Sequence, residues 1–91
     1  MLTIRPTTKA KRDIKKLARQ NKDISKLHFI LELLASGEKL PEKNRDHALT
    51  GNYVGHRGCH VEPDWILIYR IQENEMILVA VRTGSHSELF G

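Results

Sequence analysis

The chain has a single cysteine, Cys59, so it cannot close an internal disulfide. A disulfide-stapled secreted scaffold is thereby excluded, and a lone thiol fits a reducing compartment. No apolar run approaches the roughly 20 residues of a membrane span. The opening Met1-Leu2-Thr3-Ile4-Arg5-Pro6 lacks the long apolar stretch of a signal peptide, so a cytoplasmic protein is expected. Cys-x-x-Cys and His-Glu-x-x-His spacings are both missing, which removes the usual zinc frameworks, and no metal site is expected. Gly51 to Gly58 does not follow the pattern of a phosphate-cradling glycine loop. No serine or cysteine stands out as a nucleophile, and no cofactor motif is present. The remaining composition is ordinary, with 40% hydrophobic and 29% charged residues, and argues against disorder. A chain of 91 residues makes one domain, 1–91, with a single core.

Acidic residues are scarce in one segment. Lys9, Lys11, Arg12, Lys15, Lys16, Arg19 and Lys22 are opposed there only by Asp13, while the whole chain carries +4. Clustered charge of one sign favours an anionic partner, either nucleic acid or an acidic protein. A solvated helix face is the plainer account of a charge run taken alone. Histidine, by contrast, is plentiful: of five, His47, His56, His60 and His86 fall in the second half and only His28 in the first. Histidine is the side chain suited to proton transfer near neutral pH.

Local patterns predict an α+β fold. Residues 2–5 suit a short strand, closed by Pro6. Thr7 or Thr8 caps a helix over 8–20, with Ala10, Ile14, Leu17 and Ala18 on one stripe. Asn21 or Asp23 caps a second helix, whose apolar face is Ile24, Leu27, Ile30, Leu31 and Leu34 and which Gly37 ends. The short link makes the pair a hairpin. Residues 38–52 read as loop, tethered by Leu49. Strands follow over 53–61, 64–71 and 76–82. The second has Trp65, Leu67, Tyr69 and Ile71 on one face; the third is apolar on both faces and therefore central. Ser85-x-x-Glu88 is a capping box that opens a short terminal helix at His86. The order is β-α-α-β-β-β plus that helix: a mainly antiparallel sheet packed against a two-helix hairpin.

Chemistry-bearing residues gather at the breaks in this pattern. His60 and Asp64 flank the Glu62-Pro63 corner, Arg82 ends the last strand, His86 opens the tail helix, and His47 lies on the preceding loop. Cutting RNA at its own 2′-hydroxyl needs a base, an acid, and fixed donors for the phosphorane charge. Imidazole, with a pKa of about 6.5, serves either proton transfer. Arginine matches a phosphate bidentately, and an aromatic ring holds a base by stacking. Each residue also has a structural reading. His60 can cap a strand end, Asp64 is a normal turn residue after proline, Trp65 suits the core, and Arg82 can pair with Glu88. Singly the structural readings win; the combination points to a site. Cys59 is expected to face the core, away from His60.

Three strings carry a family resemblance: Asp46-His47-Ala48-Leu49-Thr50-Gly51, His60-Val61-Glu62-Pro63-Asp64-Trp65-Ile66-Leu67-Ile68-Tyr69, and Arg82-Thr83-Gly84-Ser85-His86-Ser87-Glu88-Leu89-Phe90. In these, and in length and element order, the chain resembles the YafQ-type toxins of the RelE/ParE superfamily. The resemblance implies a ribosome-dependent, metal-independent endoribonuclease that cuts translated messenger RNA. By matching motif it implies catalytic roles for His47, His60, Asp64 and His86, and substrate contacts from Arg82 and Phe90. His86 is then the acid and Asp64 or His60 the base, with His47 and Arg82 on the phosphate. It also implies a DinJ-like antitoxin, held in a heterotetramer, whose acidic segments cover the basic helix and the cleft. Promoter DNA is then met only through that antitoxin. At His56 the sequence departs from a relative that carries an aromatic residue; the position either joins the site or replaces a packing group. Two alternatives remain: a ParE-like gyrase inhibitor, which has no use for the histidine set, and an RNA-binding module that cuts nothing.

Overall fold

The computed structural model describes residues 1–91. Strand β1 (Thr3–Pro6) leads into helices α1 (Thr8–Arg19) and α2 (Ile24–Ala35). Strands β2 (His47–Ala48), β3 (Arg57–Glu62), β4 (Trp65–Gln72) and β5 (Ile77–Gly84) follow, and helix α3 (His86–Phe90) ends the chain. The sheet order is β1-β5-β4-β3-β2, with β1 parallel to β5 and the other pairs antiparallel. This is the expected α+β arrangement with one addition. The segment read as loop contributes β2, which pairs His47 with Gly58 and Ala48 with Arg57. Two residues leave no periodic signal, so such a strand is set by its partner edge rather than by its own sequence. Similarly, β3 begins only at Arg57, because Gly51–Tyr53 forms a 3₁₀ turn where the strand was expected to start.

Capping explains both helix starts. Thr7 Oγ1 accepts the Ala10 N–H at 3.0 Å, and Asp23 Oδ1 accepts that of Ser25 at 3.1 Å. Asn21 is not a cap; it turns the chain in the left-handed region with φ 61°. Along α1, Ala10 and Leu17 are buried and Ile14 half-buried, whereas Ala18 is exposed. It lies about 80° around the helix from Ala10, off the centre of the stripe.

The core lies between the helix pair and one sheet face. Trp65, Leu67 and Tyr69 of β4, Leu78 and Ala80 of β5 and Cys59 of β3 meet Leu17, Leu27, Ile30, Leu31 and Leu34. Burial of each large apolar side chain contributes about 1.5–3 kcal/mol. The other sheet face is thinly covered. Ile66 and Ile68 pack under Leu89 of α3, with Leu49, Tyr53 and Val81 at the margin. His60 and Gly58 stand opposite Ile66 and Ile68 in register, hence on this same face.

The β3–β4 hairpin turns at Pro63-Asp64, between the paired Glu62 and Trp65, with a bulge between His60 and Glu62. With Glu62 opposite Trp65, neither Val61 nor His60 stands across from Asp64. Val61 is the bulged residue, and it packs against the helix-side core.

Candidate active site

His47, His60 and His86 line one cavity of about 310 Å³, together with Leu49, Gly58, Ile66 and Phe90. Each imidazole arrives by a different route. The loop before His47 is pinned at two points. Asn44, 5% exposed, donates its Nδ2–H to the His60 carbonyl at 2.7 Å. Asp46 accepts the Tyr69 hydroxyl at 2.5 Å and the Arg57 Nε–H at 3.3 Å. Burial, reinforced by Asp46, pushes the Tyr69 pKa up, which keeps its O–H a donor. Arg45, between the two pins, reverses the chain at φ 46°.

Backbone carbonyls fix the imidazole tautomers. His47 Nδ1 meets the Arg45 carbonyl at 2.7 Å, and His60 Nδ1 meets the Pro63 carbonyl at 3.0 Å. A carbonyl only accepts, so each Nδ1 carries hydrogen and each neutral ring presents a lone pair at Nε2. Pro63 thus contributes its carbonyl as well as the turn.

His86 is set by α3. Ser85 Oγ accepts the Glu88 N–H at 3.3 Å, and Glu88 Oε1 accepts the Ser85 N–H at 3.0 Å, completing the expected capping box. Asp64 Oδ1 accepts the His86 backbone N–H at 3.1 Å. Lys16 of α1 pairs with Glu88 and, with the Ser85 N–H, holds that carboxyl down at about 2. The pairing of Glu88 with Arg82 allowed by the sequence is therefore not formed.

Gly58 makes room for the cavity floor: a Cβ there would sit 3.0 Å from Leu49 Cδ2. Phe90, 41% exposed, tilts against the His86 ring at 5.1 Å. Tyr53 stands edge-on to both Phe90, at 5.8 Å, and His56, at 5.9 Å. Trp65 is fully buried, and its Nε1–H donates to Thr83 Oγ1 at 2.8 Å, so it is a core anchor.

Of the residues singled out from sequence, His47, His60, His86 and Phe90 are brought together. Asp64 lies at the rim, spent on the start of α3. Arg82 lies beside the cavity, with Nε and Nη2 donating to Asp13 at 2.7 and 3.2 Å. His56 falls before β3, packs edge-on against Tyr53 and does not line the cavity. Cys59 faces the helices, and burial pushes its thiol up to about 12. Sequence reasoning passed over Asn44, Asp46 and Tyr53; the position of Asp46 directly before His47 was the available signal.

A larger depression of about 660 Å³ lies on the far side of His60, among Lys26, Lys43, Arg45 and Pro63. It contains one imidazole, so its size does not mark the chemistry. No three His, Cys, Asp or Glu side chains converge into a set able to hold a metal ion.

Fold and cleft together define a small α+β protein that gathers proton carriers and an aromatic ring at one end of a sheet. Residues 2–91 match the family model described as the bacterial toxin of type II toxin-antitoxin systems, YafQ. The mRNA interferase toxin YafQ of Escherichia coli K12 is 42% identical over 81 residues, 88% of this chain and 86% of that one. The metal-bound toxin from Helicobacter pylori superposes with a TM-score of 0.94 at 41% identity, over 99% of this chain and 100% of its own. A chain of the E. coli DinJ-YafQ complex superposes with a TM-score of 0.89 at 37% identity, over 100% of both chains. The chain belongs to the YafQ family of bacterial toxins.

Proposed function

We propose that this chain is an mRNA interferase, an endoribonuclease that cuts translated messenger RNA on the ribosome. The observation that carries the proposal is the meeting of His47, His60, His86 and Phe90 in one cleft. In the proposed reaction His60 Nε2 takes the proton of a ribose 2′-hydroxyl. The oxygen attacks the adjoining phosphorus, and the bond from phosphorus to the 5′-oxygen breaks. His86 protonates that leaving oxygen, so a 2′,3′-cyclic phosphate and a 5′-hydroxyl result. His47, whose tautomer matches that of His60, holds a phosphate oxygen when protonated. Of the two candidate bases, His60 is favoured because Asp64 is engaged by the His86 N–H; Asp64 then acts by positioning His86. Arg82 binds an RNA phosphate, and Phe90 stacks on a base, a contact typically of about 1–3 kcal/mol.

The proposed partner is an antitoxin like the DinJ of the E. coli complex, with acidic segments covering the basic face of α1 and the cleft. A heterotetramer and contact with promoter DNA only through the antitoxin go with that reading. No helix is long and apolar enough to cross a membrane; a cytoplasmic site of action follows from acting on translated messages.

Cell-free translation with primer-extension mapping of the message tests the proposal. Wild-type protein is expected to cut only messages under translation. His86→Ala is expected to lose about 10²–10⁴-fold in rate, the usual contribution of a general acid. A variant that cuts at the wild-type rate overturns the assignment of His86.

A further inference from the structure

Beside the histidine cleft lies a second depression of about 300 Å³, lined by Thr7, Thr8, Lys9, Tyr53, Val81 and Arg82. Resting on the RNA-cutting reading above, we propose that Lys9, Tyr53 and Arg82 form a second RNA subsite. It takes the phosphate and base of a nucleotide adjoining the one that is cut.

The two hollows are joined by an aromatic contact. Phe90 lines the histidine cleft, Tyr53 lines the second depression, and their rings meet edge-on at 5.8 Å and 85°. A strand leaving the Phe90 ring therefore meets Tyr53 next. Tyr53 is half-buried, held between Phe90 and His56, so a base stacking on it loses no ring freedom that the fold has not already removed.

The cations are suited to a phosphate. Asp13 takes Arg82 Nε and Nη2 and also accepts the Thr83 N–H at 3.1 Å, and the Tyr53 hydroxyl is a further, weaker neighbour of the guanidinium. The guanidinium is thus oriented before any ligand arrives, and 23% of its side chain stays exposed. Asp13 offsets the charge of Arg82 but engages only its Nε–H and one Nη2–H, a part of the guanidinium's five donors. Lys9 supplies the net charge: it is exposed and belongs to none of the ion pairs of the chain. The start of α1 is not itself the site. Thr7 Oγ1 already accepts the Ala10 N–H and donates to the Val81 carbonyl at 2.7 Å.

The test is fluorescence anisotropy with purified full-length toxin and short single-stranded RNAs carrying a 2′-O-methyl group at the cut position, which blocks the chemistry. Fragments of two nucleotides are compared with fragments lengthened by one at either end. Wild-type binding is expected to tighten at least about fivefold on lengthening at one end, as one more stacked base allows. Lys9→Ala is expected to erase that gain, to leave the two-nucleotide fragment bound as before, and to lower the slope of log K against log salt by about 0.7, one single-strand phosphate contact. Lys39→Ala, beyond the C-terminus of α2 at the opposite end of the sheet, controls for general charge. The subsite is overturned if wild type gains nothing on lengthening, or if Lys9→Ala and Lys39→Ala behave alike. The cell-free assay keeps the two readings apart. Intact messages with wild-type toxin sink the RNA-cutting reading; cut messages without a Lys9-dependent length gain sink the subsite alone.

Discussion

The carboxylate of Asp64 accepts the backbone N–H of His86 at 3.1 Å, across 22 residues of sequence. This bond fastens the turn of the β3–β4 hairpin to the first turn of α3. It satisfies one of the helix-start N–H groups and places an anion where the helix dipole favours one. His60 leans on the same turn through the Pro63 carbonyl. The two imidazoles assigned to proton transfer therefore share one frame.

Asp64→Asn and Asp64→Ala separate anchoring from proton transfer. Asparagine keeps an acceptor oxygen for the His86 N–H, so cutting is expected to stay within about tenfold of wild type. Alanine frees the start of α3, and the resulting misplacement is expected to cost about 100-fold. Rates in the translation extract decide the matter. An asparagine variant as inactive as alanine gives the Asp64 charge a direct part in the chemistry.

Asp13 is the one acid in the basic segment, and the fold uses it to hold Arg82 and the Thr83 N–H. Asp13→Ala leaves a half-buried guanidinium without its partner and is expected to destabilise the fold by about 1–3 kcal/mol, read from urea unfolding. Combining Asp13→Ala with Arg82→Ala is expected to cost less than the sum of the two, because both remove one interaction. Strict additivity argues that the pair contributes nothing to stability.

Glu88 gives the fold a pH dependence of known sign. Its folded-state pKa is lowered to about 2 from the ordinary 4.5, chiefly by Lys16. Its contribution is therefore complete above about 4.5 and lost as pH falls from there to about 2. Glu88→Gln keeps the shape of the capping box without the charge. Thermal melts followed by circular dichroism are expected to show the wild type more stable at pH 6. The two melting temperatures are expected to converge as pH approaches 2. A gap that persists at low pH places the effect in packing rather than ionisation.

Much of this architecture is legible in the amino-acid sequence. Thr7, Asp23 and Ser85 mark helix starts because a side-chain oxygen beside free N–H groups acts within three residues. The strands β4 and β5 show as apolar runs, β5 apolar on both faces, and Cys59 and Trp65 fall in the core as their surroundings suggested. The histidines and Phe90 were nameable because unusual side chains cluster at breaks in those patterns. The sequence by itself thus determined the order of the helices and the longer strands, the buried face of the sheet, and the residue types available for chemistry, all of which rest on short-range periodicity and capping.

Only the tertiary structure decided how those residues meet. The two-residue strand β2, the bulge at Val61 and the pinning of His47 by Asn44 and Asp46 depend on partners far along the chain. Asp13 with Arg82, Lys16 with Glu88 and Tyr53 with Phe90 are matched across the molecule by the packing of α1, the loop before β3 and α3 against the sheet. Periodicity and capping act over a few residues. The spatial relation of His60 to His86, and of Arg82 to the cleft, is set by hydrogen bonds between elements that no local pattern encodes.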